Sequence, residues 1–345
     1  MIIARTPYRV SFFGGGTDYP AWYRENGGAV LGTAIDKYCH VTIRHLPPFF
    51  EHKHRIVYSK VETVAAIDEI EHPSVRAVLT YLDIHKGVEI HHDGDLPART
   101  GLGSSSSFTC GMYNAASALL GRMHKPSRLA DEVTHIEQNL IGENVGDQDQ
   151  IWAAYGGTNY IEFRPDGSRT VSPLVISADR RRELESHLVM VFTGFARFAD
   201  AYAKNQIDNI PKRHAQLRNL QQMADEAFNI LISPDREIGE FGRLMAESWR
   251  NKREIHETVS TDRVDEIYEA GIAAGAYGGK LLGAGGGGFM LFVVPPERKP
   301  ALLRALSDLV PVEFKIGAPG STIVLYEPNG WDAAAHDGPS TTRSS

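Results

Sequence analysis

Leu96-Pro97-Ala98-Arg99-Thr100-Gly101-Leu102-Gly103-Ser104-Ser105-Ser106-Ser107 is the stretch on which the reading of this chain turns. Two glycines permit left-handed turns, and four serines then open a small-residue run that predicts a helix from Ser104 to Leu120. The first amides of a helix have no carbonyl partner within it, so such a start presents a set of N–H donors to an anion. Hydrogen bonds to a charged phosphate contribute about 1.5–3 kcal/mol each, against about 0.3–1 kcal/mol from the helix dipole, so the donors dominate. A serine hydroxyl also suits Mg2+, a hard ion that prefers oxygen. No Gly-Lys-Ser/Thr follows, so this is not a Walker loop. The plain alternative is a serine-rich N-cap, although four serines exceed what capping requires.

Two further glycine-rich stretches flank it. Arg9-Val-Ser-Phe-Phe-Gly14-Gly15-Gly16-Thr17-Asp18-Tyr19 is an apolar strand ending in glycines and an acid. It reads either as a ligand turn with Asp18 facing the opening or as a hairpin with a capping aspartate. Lys280-Leu-Leu-Gly283-Ala-Gly285-Gly286-Gly287-Gly288 precedes the apolar strand Phe289 to Val294. A dinucleotide fingerprint needs glycines after a strand and before a helix, so that reading fails.

Between them lies Glu137-Gln-Asn-Leu-Ile-Gly-Glu-Asn-Val-Gly146-Asp147-Gln148-Asp149-Gln150. Leu129, Val133, Ile136 and Leu140 form one apolar stripe on a helix predicted over Arg128–Glu143, with Glu137 at the stripe's edge. Asp149 follows in a loop or short turn. A phosphotransferase needs a carboxylate for Mg2+ and often another near the acceptor hydroxyl; solvated surface acids are the bland reading.

At 345 residues the chain is long enough for two domains, and its 42% apolar and 23% charged residues are those of a soluble globular protein. A formal charge of −7 argues against a nucleic-acid partner. The two cysteines, Cys39 and Cys110, make no disulfide framework. Neither a signal peptide nor a membrane span is expected, and a cytoplasmic location is. Other expected strands are Tyr8–Phe13, Ala29–Arg44, Leu188–Phe192 and Thr322–Tyr326. Other expected helices are Asp200–Leu231, Ile238–Glu257 and Ala301–Leu309. Pro165-Asp166-Gly167 reads as a hairpin turn, and residues 332–345 as a disordered tail. His91-His92-Asp93 has no companion ligands for a metal. Strands and helices layered in each half predict α+β.

Taken in order, Gly14-Gly-Gly-Thr-Asp-Tyr19, Pro97-x-x-x-Gly101-Leu-Gly-Ser-Ser105, Glu137 to Asp149 and Leu282-Gly-Ala-Gly-Gly-Gly-Gly288 resemble the GHMP kinases over residues 5–326. The resemblance implies a two-domain fold. An N-terminal domain like ribosomal protein S5 domain 2 covers 1–180, and a ferredoxin-like C-terminal domain covers 181–331. It implies ATP and Mg2+ as cofactors, with Pro97, Gly101, Leu102, Gly103, Ser104, Ser105 and Ser106 at the nucleotide. Ser105 and Glu137 match the metal ligands, with Ser104 a rival to Ser105. Asp149 matches the proposed base and Arg9 an arginine beside it. Asp18, with Gly16 and Thr17, matches a sugar site shaped by Gly285 and Gly286. Arg197, then Lys204, are the candidates for a phosphate on the acceptor. Galactokinases carry Gly-Glu-His-Thr-Asp-Tyr at the first motif, so galactose is not the expected acceptor. Phe12 to Tyr19, with Phe192 to Ala199, is similar to the heptose 7-phosphate kinase branch, whose reaction makes a 1,7-bisphosphate for nucleotide-activated heptose and cell-surface polysaccharide synthesis. Fucokinase domains carry a related pattern. An inactive binding protein of this fold, a decarboxylase and a homodimer are the remaining alternatives to be tested.

Overall fold

The computed structural model describes residues 1–47, 49–194, 213–254 and 259–328. The expected tail, Arg197 and Lys204 lie outside the described residues.

The first lobe is built on a long antiparallel pair, β1 (Ile2–Phe13) and β2 (Gly28–His45), joined through the glycine turn and α1 (Pro20–Asn26). β1 is buried along nearly its whole length, which its apolar, β-branched and aromatic residues favour. The sheet grows through β3 (His54–Val57), β4 (Val61–Val64) and β5 (Val88–Gly94) and is closed at its other edge by the final strand, β12 (Thr322–Tyr326), in the order β12-β1-β2-β5-β3-β4. β6 (Thr158–Phe163) pairs with the other half of β2 and with β7 (Arg169–Pro173), across the expected turn, where Gly167 takes φ +86°. Helices α2 (Pro73–Tyr81), α3 (Ser104–Leu119), α4 (Pro126–His135) and α5 (Gln148–Tyr155) belong to this lobe. α3 is buried along most of its length, as its alanines, serines and Gly111 allow; a Cβ on Gly111 would stand 2.9 Å from Thr6 Oγ1 on β1.

The second lobe follows α6 (Ala178–His187). It holds β8 (Leu188–Phe192), α7 (His214–Ile232), α8 (Ile238–Arg253), α9 (Asp262–Ala273), β9 (Gly278–Leu281), β10 (Phe289–Val293), α10 (Lys299–Ala305) and β11 (Val310–Val312). Its sheet order, β11-β8-β10-β9, is all antiparallel, as in a ferredoxin-like β-α-β-β-α-β unit, with three described helices where that unit has its first one. Among the described residues no helix is long and apolar enough to cross a membrane.

Two expectations are modified. The boundary at 180/181 falls inside α6, and the final strand β12 (Thr322–Tyr326) returns to pair with β1. We propose that the division into 1–180 and 181–331 holds with α6 as the connecting helix and that last strand placed in the first lobe. The predicted helix Arg128–Glu143 is α-helical only to His135 and continues as a π-helical turn, Ile136–Ile141, closed by Gly142 at φ +79°. A π turn advances the chain by fewer degrees per residue than an α turn, so the apolar stripe breaks there. Leu129, Val133 and Ile136 are buried as expected, but Leu140 is exposed.

Candidate active site

Glu137, the second residue of the π turn, lies fully in the interior. There its Oε2 accepts from Ser106 Oγ at 2.8 Å and from Gln150 Nε2 at 2.6 Å, while Oε1 is buried with no partner. Burial, reinforced by the charge of Glu143, pushes the carboxyl up to about 8.

The serine run divides by helical position. Gly103 is the N-cap in the left-handed region, at φ +70°. Ser104 Oγ accepts from the Arg99 amide at 3.0 Å and so braces the loop. Ser105 is exposed at the helix mouth, with Oγ 3.5 Å from Glu143 Oε2. Ser106 is buried on Glu137, and Ser107 donates to Pro7 O at 2.7 Å. The serine in contact with Glu137 is therefore Ser106, where the sequence reading paired Glu137 with Ser105; one residue of α-helix turns the side chain by about 100°. Pro97 O is held by the Thr100 hydroxyl at 2.7 Å, and Leu102 is buried.

Arg9, on β1, grips Asp149 with both ends of its guanidinium, Nε to Oδ1 and Nη2 to Oδ2, each at 2.7 Å. Its remaining nitrogen, Nη1, donates to Gly101 O at 2.6 Å, and its amide to Leu102 O at 3.0 Å. One side chain thus joins the phosphate-type loop to the aspartate. A Cβ on Gly103 would stand 3.4 Å from the Asp149 carboxylate, so the helix cap and this acid are in direct proximity. Bidentate geometry fixes a carboxylate's orientation as well as its place.

Asp18 is buried at the end of the first glycine turn, with Oδ1 accepting from the Gly16 amide at 2.9 Å. Burial, with a further push from Asp149, raises it to about 6. Gly146 makes room for it: a Cβ there would lie 1.9 Å from Asp18 Oδ2. Thr17 does not reach the opening. It is fully buried and its hydroxyl ties Gly14 O and Ala29 O, at 2.8 and 3.0 Å, so it braces the turn and contacts no cleft.

The second lobe closes over the loop through backbone contact. A Cβ on Gly101 would meet Leu282 O at 2.3 Å, one on Gly283 would meet Gly101 Cα at 2.4 Å, and one on Gly288 would meet Thr100 O at 2.2 Å. The glycines that touch the phosphate-type loop are therefore 283 and 288. Gly285 and Gly286, expected at the substrate, lie against Val259: a Cβ on Gly285 would stand 2.9 Å from Val259 Cα, and the Gly286 amide donates to Val259 O at 3.2 Å.

Two buried lysines here gave no signal in the sequence. Lys280 Nζ donates to Ser11 O and Phe12 O, at 3.0 and 2.9 Å, and binds β9 to the end of β1. Lys252, at the end of α8, donates to Gly283 O. Burial and then the Arg9 charge push Lys252 down to about 8, against a smaller opposing pull from Asp18. His91, on β5, lies 3.1 Å from Glu89, and His92 meets the Phe108 ring edge-on.

A donor-rich helix start, an arginine-held carboxylate beside it and a second acid with one unpartnered oxygen, set where two α+β lobes meet, define a small-molecule phosphotransferase. The chain belongs to the GHMP kinases: residues 66–157 match the GHMP kinases N terminal domain and residues 226–311 the GHMP kinases C terminal. It is 31% identical to the D-glycero-alpha-D-manno-heptose 7-phosphate kinase of Campylobacter jejuni, over 88% of this chain and 93% of that one. It is 28% identical to the bifunctional fucokinase/GDP-fucose pyrophosphorylase of Arabidopsis thaliana, over 86% of this chain but 30% of that protein. The crystal structure of a D-glycero-D-manno-heptose 1-phosphate kinase from Bacteroides thetaiotaomicron superposes with a TM-score of 0.78 at 25% identity, covering 95% of this chain and 100% of that one. The chain is accordingly an ATP-dependent kinase, and these relatives are sugar kinases.

Proposed function

We propose that the chain phosphorylates the anomeric hydroxyl of a sugar phosphate, D-glycero-D-manno-heptose 7-phosphate, to give the 1,7-bisphosphate. The observation that carries this reading is the Arg9–Asp149 pair set under Gly103, at the mouth of the serine-headed helix. The relative of matching length from Campylobacter jejuni supports the choice of sugar.

In this mechanism the ATP phosphates lie over Gly101 to Ser107, where amides at the start of α3 receive them. Asp149 accepts the proton of the C1 hydroxyl. The hydroxyl oxygen then forms a bond to the γ-phosphorus as the bond to the β-bridging oxygen breaks, and ADP leaves. Arg9 holds Asp149 in one orientation, and Asp18 positions sugar hydroxyls. Ser105, whose hydroxyl is exposed at the helix mouth, and Glu137, whose Oε1 is buried without a partner, are the residues that would hold Mg2+, while Ser106 is the serine already in contact with Glu137. Bound there, it would neutralise phosphate charge.

An ADP-release assay against heptose 7-phosphate, L-fucose, galactose and mannose tests the reading, with 31P NMR of the product locating the new ester. Turnover with heptose 7-phosphate and a C1 ester is expected. Turnover confined to free fucose would move the assignment to a fucokinase, the reading the Arabidopsis relative favours. No turnover with any sugar would leave a binding protein.

A further inference from the structure

We propose that Lys252 is a phosphoryl-binding residue, delivered to the site by the second lobe. The inference depends on the kinase reading above only in that a phosphate-bearing ligand occupies this cleft.

Three buried cations meet where the lobes touch. Arg9 is committed to Asp149 and Gly101 O, and Lys280 to two carbonyls of β1. Lys252 differs. Among the described residues its ammonium donates to one acceptor, Gly283 O, although an ammonium carries three donors. That acceptor belongs to the glycine whose backbone abuts Gly101 of the phosphate-type loop, so Lys252 stands one carbonyl away from the loop. Among the described residues no carboxylate pairs with it, and Arg9 repels its charge more than Asp18 attracts it. A buried ammonium held among like charges is costly unless an anion is brought to it. A phosphoryl group supplies that anion, from the γ-position of ATP or from the phosphate ester of the acceptor. A lysine that merely tied α8 to the glycine loop would need no further acceptor and would stand apart from the site's charges.

K252M, which keeps the buried stem, and K252R, which keeps the charge, separate these roles by calorimetry with Mg2+·AMP-PNP, ADP and heptose 7-phosphate. A loss of more than tenfold for AMP-PNP in K252M, with ADP within twofold of wild type, assigns the contact to the γ-phosphoryl group. A comparable loss for heptose 7-phosphate alone assigns it to the acceptor ester. In either case K252R recovers most of the loss. If all three affinities stay within twofold while the urea midpoint falls, Lys252 is a structural tie and the proposal is overturned. If wild type binds no heptose 7-phosphate, the choice of sugar fails, while the AMP-PNP and ADP arms still decide Lys252. Should K252M not fold, the side-chain 13C resonance of Lys252 in the wild-type protein decides. A shift with AMP-PNP or heptose 7-phosphate beyond that with ADP supports the contact, and no such shift overturns it.

Discussion

Arg9 and Asp149, 140 positions apart, meet in a two-pronged ion pair whose arginine also holds the carbonyl of Gly101. The acid is thereby aimed from the same strand that anchors the phosphate-type loop, and its register with that loop is set before any ligand arrives. Asp149→Asn keeps the size and one acceptor but cannot take a proton. We expect kcat to fall by about 10^2–10^4, the usual worth of general-base catalysis, with circular dichroism unchanged. A mutant with near-normal turnover would remove Asp149 from the mechanism.

Gly146 touches no expected ligand, yet it should control acceptor binding. Gly146→Ala would thrust a methyl group to 1.9 Å from Asp18 Oδ2 and displace that carboxylate. The expected result is a rise in acceptor KM of roughly tenfold or more, a loss of about 1.4 kcal/mol in binding, with nucleotide affinity retained. Equal KM values for the sugar in mutant and wild type would argue that Asp18 is a brace of its turn and nothing more.

Glu137 makes the ligand-free enzyme less stable as pH rises. Its carboxyl is raised to about 8 in the folded chain, against 4.5 ordinarily. Between these values the folded state binds more protons than the unfolded one, so unfolding becomes easier as pH increases, by at most about 1.4 kcal/mol per pH unit. Asp18, raised from 3.8 to about 6, acts in the same direction at lower pH. Urea midpoints taken from pH 5 to pH 8 should fall in wild type and fall less in Glu137→Gln. Parallel profiles would refute the assignment.

Ser105 and Ser106 should separate in function. Ser106→Ala removes the hydrogen bond to buried Glu137 and is expected to cost about 1–3 kcal/mol of stability. Ser105→Ala leaves the fold alone, because its side chain is exposed, and should raise the Mg2+ concentration needed for half-maximal rate several-fold. If Ser105→Ala has the wild-type Mg2+ requirement, the ion is held elsewhere.

The sequence disclosed the glycine turns, the serine-headed helix and the acids at 137 and 149, because each is a local run whose meaning is set by its neighbours in the chain. It also disclosed five of the twelve described strands, and Leu188–Phe192 and Thr322–Tyr326 coincide with β8 and β12. What it hid was angular or distant. A 3.6-residue period leaves Glu137 at the edge of a stripe, and its burial depends on Ser106 and Gln150, which reach it from other segments. Lys252 sits near the end of a helix among Arg250 and Arg253, where cations ordinarily read as solvated. Of the glycines from 283 to 288, those that meet the other lobe are chosen by the approach of Gly101 and Thr100, nearly two hundred residues earlier. Thr17 looked like part of a ligand turn because its burial depends on β2, which lies beyond that turn.

The homecoming of β12 to β1 has a consequence for how this molecule can be divided. Both ends of the second lobe are moored in one sheet, so that lobe is an insertion into the first rather than a unit appended after it. A fragment stopping at residue 180 would bare the outer flank of β1, an open strand inviting self-association. Grafting Thr322–Tyr326 back onto that fragment, not lengthening it past 180, is what would make it behave as a separate body.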